Sequence, residues 1–135
     1  MADLATEETI ENFLLAGDLE AASNAIDAVL AATPNDPSGL VFRGRLLGAT
    51  GDLVAAEAAL HQALEVDPRH ARAKAFQGIL AYERGDADGA EAGLNEALAA
   101  GDDLPGIRFT LARCAARRAE HSASLEHLER ALAGE

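Results

Sequence analysis

The side chains best suited to catalysis or metal binding in this 135-residue chain are four histidines and one cysteine. The histidines, at positions 61, 70, 121 and 127, form no i, i+4 histidine pair and no glutamate-flanked zinc motif. Cys114 lies near His121 in sequence, but no third residue marks a nucleophilic site. A single cysteine also excludes an internal disulfide and a cysteine-built zinc site. We therefore expect no enzyme activity, no metal and no cofactor.

The charged residues indicate which kinds of partner to expect. The net charge is −12, which argues against nucleic-acid binding, because phosphate neutralisation needs clustered lysine and arginine. It also argues against docking on anionic membranes. The N-terminal residues carry no basic stretch, and no window approaches about 18 consecutive apolar residues. These features predict a cytoplasmic protein with no membrane insertion and no nucleic-acid partner.

The sequence repeats with a period of 34 residues, and this period predicts which helix carries each of these side chains. Gly-Asp occurs at 17–18, 51–52 and 85–86, and a degraded copy, Ala119-Glu120, follows at the same step. Four more columns keep this period: Ala22, Ala56, Ala90 and Ser124; Ile26, Leu60, Leu94 and Leu128; Val29, Ala63, Ala97 and Ala131; Leu30, Leu64, Leu98 and Leu132. The period divides a single domain, 1–135, into four units at about 3–36, 37–70, 71–104 and 105–135.

Each unit is predicted to contain two helices, eight in all. Alanine and leucine, both strong helix formers, supply most of the apolar content. In the second unit Pro37 suits a helix start, Gly51 permits the backbone conformation that ends this helix, and Asp52 caps the next one. Gly44 and Gly78 lie within helices, where glycine costs about 1 kcal/mol relative to alanine. A close helix–helix contact is the usual reason to tolerate that cost.

These features resemble the tetratricopeptide repeat. Its small residue at position 8, glycine at 15, alanine at 20 and 27, and proline at 32 are matched in the second unit by Gly44, Gly51, Ala56, Ala63 and Pro68. The first and third units match less completely, and the fourth is the weakest. The resemblance implies an all-α, right-handed superhelical solenoid of antiparallel helix pairs. It also implies a concave groove, lined by the first helix of each unit, that binds a peptide or protein.

The basic residues favour a groove without reference to the family. None of the eleven precedes Arg43, and all but Arg130 lie on or beside the predicted first helices. Arginine pairs bidentately with carboxylates, so we expect an acidic peptide or a C-terminal carboxylate as ligand. The candidate groove residues are Val41, Arg45, Arg72, Ile79, Tyr82, Phe109, Arg113 and Arg117. The alternative is a solvated face whose arginines pair with the acidic second helices. The asparagines of the family's carboxylate clamp are absent, so its chaperone ligand is not predicted.

The two ends of the predicted solenoid carry apolar residues that a capping helix would usually cover. At one end Phe13 and Leu14 lie in the first helix. At the other, Leu125 replaces the glutamates, Glu57 and Glu91, of the preceding units. These ends suggest a homo-oligomer, although a fourth unit that merely tolerates an exposed apolar stripe is the alternative. The leading functional prediction is a non-catalytic protein–protein adaptor, with a self-associating scaffold or an accessory regulatory subunit as alternatives.

Overall fold

A computed structural model describes residues 3–102 and 105–134 and is helical throughout its regular elements. Seven helices lie in this described part of the chain: α1 Leu4–Ala16, α2 Leu19–Ala32, α3 Pro37–Ala49, α4 Leu53–Val66, α5 Ala71–Glu83, α6 Ala87–Ala99 and α7 Pro105–Leu132. The first six form three antiparallel pairs in the predicted order. Residues 103 and 104, where the third unit was expected to end, lie outside the described residues, so that boundary remains a prediction.

The Gly-Asp pairs form the turns between paired helices, as predicted. Gly17, Gly51 and Gly85 have φ angles of 76°, 89° and 92°, a left-handed conformation that glycine adopts without steric cost. The aspartate that follows each glycine caps the next helix, because its side chain accepts a hydrogen bond from the backbone N–H three residues later. Each turn is therefore encoded by two adjacent residues.

The glycines inside α3 and α5 mark the closest contacts between paired helices. A methyl group at Gly44 would lie 2.9 Å from Cγ of Leu60, and one at Gly78 would lie 2.8 Å from Cγ of Leu94. Both leucines are completely buried. Because real Cβ contacts are longer than this, only glycine allows the paired helices to approach so closely. The sequence prediction of a close contact at these glycines is confirmed.

The fourth unit differs from the sequence prediction of two helices. Its residues form one continuous helix, α7, which is 28 residues long. Ala119 and Glu120 occupy the place of the Gly-Asp pair, and an alanine in the left-handed conformation costs about 1–2 kcal/mol. Alanine, arginine and glutamate also favour helix. The prediction of eight helices is therefore wrong at this turn.

The packing of successive pairs curves the stack. The first helices α1, α3, α5 and α7 contact one another in sequence, whereas no contact joins α2 to α4 or α4 to α6 among the described residues. Helices that lie closer together form the inner side of a curved stack, so α1, α3, α5 and the start of α7 line its concave surface. This arrangement confirms the predicted solenoid of helix pairs.

Candidate functional site

Two cavities open on the concave surface. One, with a volume of about 500 Å³, is lined by Ser38, Val41, Arg72 and Asp102, among other residues. The other, also about 500 Å³, lies between α3, α4 and α5 and includes Arg45, Phe76, Ile79, Leu80 and Glu83. We call the second one the apolar cavity, because its lining is mainly aliphatic and aromatic. Four of the predicted groove residues line these two cavities, Val41 and Arg72 the first and Arg45 and Ile79 the second, and the other four lie further along α5 and α7.

Arg45 is held on the concave surface by a carboxylate and two aromatic rings. Its guanidinium forms a bidentate ion pair with Glu11 of α1, in which Nη2 donates to Oε1 at 3.1 Å. It also lies 4.7 Å from the centre of the Phe76 ring and 5.6 Å from that of Phe42. This position combines charge pairing with cation–π contact. Arg45 therefore joins α1, α3 and α5, and a ligand carboxylate would have to share it with Glu11.

Glu11 gives this ion pair a pH dependence. The hydrogen bonds from Arg45 hold the pKa of Glu11 below the ordinary glutamate value of 4.5, although partial burial opposes the shift. A carboxyl group with a lowered pKa in the folded state contributes stability above its unfolded pKa. This contribution is lost as the pH falls through the folded pKa.

We expect Glu11→Gln to lower the free energy of unfolding at neutral pH by about 1 kcal/mol, a modest value because water partly screens the pair. The difference from the native chain should shrink as the pH falls below 4.5, since the native carboxyl then also loses its charge. Urea unfolding at a series of pH values measures this. Glu8→Gln, on the exposed side of the same helix, is the control. A difference that stays constant across the series would contradict the assignment.

Arg72 forms its ion pair with a loop residue and not with a residue of a helix. Its Nε donates to Oδ2 of Asp102 at 2.9 Å, and Nη2 donates to Oδ1 at 3.2 Å. Asp102 lies in the loop after α6, where the first two units have proline. Val41, predicted beside Arg72 in the groove, is only 2% exposed and belongs to the hydrophobic core. Val41 can therefore shape the floor of the cavity but offers a ligand almost no surface.

A second cluster, which we call the arginine–tyrosine cluster, consists of Arg113, Arg117, Tyr82 and Phe109. The guanidinium carbons of Arg113 and Arg117 lie 4.4 Å and 4.3 Å from the centre of the Tyr82 ring. Arg113 also lies 5.6 Å from the Phe109 ring, which is 65% exposed. Within the described part of the chain Arg117 forms no ion pair, and the contact of Arg113 with Glu83 is long, 3.6 Å. This cluster is the most open positive charge among the predicted groove residues.

Other arginines pair with the second helices of the repeats. Nη1 of Arg84 donates to Oε2 of Glu57 at 3.0 Å, and Nη1 of Arg118 donates to Oε1 of Glu91 at 3.2 Å. Each arginine follows its glutamate by 27 residues, so the two pairs repeat with the period of the chain. Arg43 similarly pairs with Asp27 of α2 at 2.6 Å. These three arginines thus pair with the acidic second helices, as the alternative interpretation expected. Among the residues that the structure describes, none of the four arginines predicted for the groove does so.

Phe76 is the residue that the sequence analysis missed. It lines the apolar cavity and makes the shorter cation–π contact of Arg45. The signal was present, because Phe42 precedes Phe76 by one 34-residue period and both lie beside the Arg45 side chain. Two phenylalanines in one column of a repeat indicate a shared packing position.

Cys114 is fully buried against α6, as expected for a position that leucine holds in the preceding units. Burial raises the pKa of the Cys114 thiol, and the charge of Glu91 acts in the same direction. The thiol therefore stays protonated at neutral pH, and a protonated, buried thiol is a poor nucleophile.

The predicted end residues do not share one environment. Leu14 packs against the core and Phe13 is half-buried, so both of these residues are partly covered. Leu125 in α7 is exposed, as is every residue from 115 to 134. The C-terminal end therefore offers the larger uncovered apolar surface.

Stacked helix pairs with a concave surface of first helices define an α-solenoid of short repeats. The sequence profile of the tetratricopeptide repeat family matches residues 11–59 and 43–105, more than half of the chain. The chain belongs to the tetratricopeptide repeat family, as its 34-residue period predicted. No curated protein sequence matches it. None of the helices in residues 3–102 and 105–134 has the length and apolar character needed to cross a membrane.

Solved structures with the same fold include several tetratricopeptide domains. The Sgt2 domain from Aspergillus fumigatus is 17% identical, with a TM-score of 0.71 over 88% of this chain and 80% of that one. The first domain of Spaghetti (RPAP3), bound to the HSP90 peptide SRMEEVD, is 15% identical, with a TM-score of 0.68 over 86% and 92%. The type III secretion chaperone SycD from Yersinia enterocolitica, in complex with a peptide of the translocator YopD, is 18% identical, with a TM-score of 0.61 over 83% and 86%. At these identities the likeness shows a common fold.

Proposed function

We propose that this protein is a non-catalytic interaction module that binds an extended peptide or protein segment along its concave surface. The observation that carries the proposal is the arginine–tyrosine cluster. Arg113 and Arg117 are held against the Tyr82 ring beside exposed Phe109, so two positive charges are ordered before any ligand arrives. Such preorganisation reduces the entropy lost on binding.

The chemistry of the surface favours a ligand with a carboxylate and an apolar side chain. Arg117 presents a guanidinium that can pair bidentately with a carboxylate. The apolar cavity, which Ile79 and Phe76 help to line, has room for one large aliphatic or aromatic side chain. Glu11 would repel an acidic ligand from the Arg45 side, which would direct its carboxylate toward the cluster on α7.

The comparisons add support from two proteins of the same fold. One solved domain holds the peptide SRMEEVD, which contains two glutamates and an aspartate, and another holds a peptide of a translocator protein. Both show that a stack of this size accommodates a peptide. Binding of an acidic peptide by the present chain is proposed from its own arginines.

Selection from a displayed library of random peptides with free C-termini tests the proposal. We expect selected peptides to combine acidic residues or a terminal carboxylate with one bulky apolar residue. The double variant Arg113→Ala/Arg117→Ala should bind them about tenfold more weakly or worse, because charge-assisted hydrogen bonds contribute about 1.5–3 kcal/mol each.

Arg118→Ala is the matched control, because Arg118 is adjacent to Arg117 but pairs with Glu91 on α6. Its affinity for the selected peptides, measured by calorimetry, should equal that of the native chain. If the double variant binds as tightly as Arg118→Ala, or if selection yields no peptide, the proposal is wrong.

A further inference from the structure

The second half of α7, residues 120–132, carries an apolar face that no described residue covers. Leu128 is 56% exposed and Leu132 is 81% exposed. Their equivalents one period earlier, Leu94 and Leu98, are respectively buried and packed against the core. Residues that pack into the core in each preceding pair are therefore exposed here.

The first half of α7 carries the surface that a helix with this apolar face would cover, and that surface is also exposed. Gly44 and Gly78 are covered by Leu60 and Leu94 of their own pairs. Ala112 holds the same column in the first half of α7, yet it is exposed. The chain thus contains both surfaces of a fourth helix–helix contact.

Within one chain these two surfaces cannot meet. Ala112 and Leu128 lie on one continuous helix, and at 1.5 Å per residue they are about 24 Å apart along its axis. No glycine or proline occurs between Gly106 and Gly134, so no residue favours a turn near Ala119. The second half of the same α7 therefore cannot be the helix that covers Ala112.

We propose that the covering helix belongs to a second copy of the chain, and that two α7 helices pair antiparallel about residues 119 and 120. In the earlier pairs the glycine and its leucine lie equally far from the turn between them. Ala112 and Leu128 likewise lie eight residues on either side of Glu120. In the pair, Leu128 of each copy covers Ala112 of the other, which completes a fourth repeat in both. An exchange of identical elements between two copies is a low-cost route to a dimer.

The charges of the helix favour this antiparallel arrangement. Residues 105–119 carry four arginines and no acid, whereas residues 120–132 carry three glutamates and one arginine. Antiparallel pairing places each basic half beside the acidic half of the other copy. Parallel pairing would place like charges together. The groove residues Arg113 and Arg117 contact Tyr82 on the side toward α5, so the concave surface stays open in the dimer.

Light scattering coupled to size-exclusion chromatography tests the proposal. The native chain should have the mass of two 14.0 kDa subunits, and Leu128→Glu should reduce it to one. Circular dichroism should show that this variant keeps its helices. The control is Leu125→Glu, which introduces the same charge on the same helix. Leu125 lies in the column of Glu57 and Glu91, which face the following unit, so this variant should remain dimeric.

A second variant tests the missing turn directly. Ala119→Gly/Glu120→Asp restores the Gly-Asp pair of the other three turns, so α7 should fold back on itself as two helices. We expect a monomer with a complete fourth repeat. The double variant Ala112→Cys/Leu128→Cys should form a disulfide between chains on the native background and within one chain on the Gly-Asp background. A native chain that is monomeric at every concentration, or a Gly-Asp variant as dimeric as the native chain, would overturn the proposal.

Discussion

Gly78→Val is expected to lower the free energy of unfolding by about 3 kcal/mol, measured by urea denaturation, at the upper end of typical overpacking penalties. The Cβ atom alone would lie 2.8 Å from Cγ of Leu94 and 3.0 Å from the carbonyl oxygen of Ala90. The leucine can adjust, but the carbonyl belongs to the backbone of α6, so the two helices must move apart. Because consecutive pairs stack, this displacement would also disturb α7.

The residue that Gly78 contacts offers a way to separate steric conflict from other effects. Leu94→Ala alone should cost about 3 kcal/mol, since it leaves a cavity under a fully buried position. Combined with Gly78→Val, the vacated space accepts the valine methyl groups. The double variant should then be more stable than the sum of the single losses by at least about 1 kcal/mol. Strict additivity would show that the two residues do not share this contact.

Gly93→Ala is the matched control for Gly78, because both residues lie inside helices of the same pair. A methyl group at Gly93 meets its nearest neighbour, the carbonyl oxygen of Lys74, at 3.4 Å, an ordinary contact. Removing a helical glycine without a clash should raise the free energy of unfolding by about 0.5–1 kcal/mol. The geometry therefore requires that the substitutions at these two glycines change the free energy of unfolding in opposite directions.

The parts of the fold that sequence could predict are those decided locally. Gly51 and Asp52 specify a turn because the left-handed backbone and the cap involve only neighbouring residues. Gly44 indicates a close contact with the paired helix, because the period repeats a glycine at the same position, Gly78. The prediction for the fourth unit was wrong for the same reason. Leu128 matches the packing residues of the earlier units, but Ala119 stands where the turn needs glycine. The packing columns continue into the fourth unit, but the one backbone position that decides the topology holds alanine in place of glycine.

The partners of the arginines were harder to predict, because side-chain pairing depends on distances across the stack. Glu11 and Arg45 occupy the same column in adjacent units, so their contact is readable from the period. The partner of Arg72 is a loop residue, Asp102, and no periodicity places it. Likewise, Val41 has the column of a groove residue but is buried, because its exposure depends on how tightly α3 packs against its neighbours.

Tyr82→Ala is expected to lower the free energy of unfolding by about 3 kcal/mol and also to weaken peptide binding at least about tenfold. Tyr82 is 6% exposed within the core that α5, α6 and α7 share, so truncation creates a cavity. It also removes the ring against which Arg113 and Arg117 are held at 4.4 Å and 4.3 Å. Without the ring the two guanidinium groups lose their fixed position, and a ligand must order them.

Tyr82→Phe separates these two effects, because it keeps the ring and removes only the hydroxyl. We expect this variant to retain the stability of the native chain to within about 1 kcal/mol and to keep the cation–π contacts. Its affinity for the selected peptides should therefore stay close to native, whereas Tyr82→Ala, assayed under conditions where it remains folded, should bind at least about tenfold more weakly. Native affinity in the folded alanine variant would show that the ring does not organise the site.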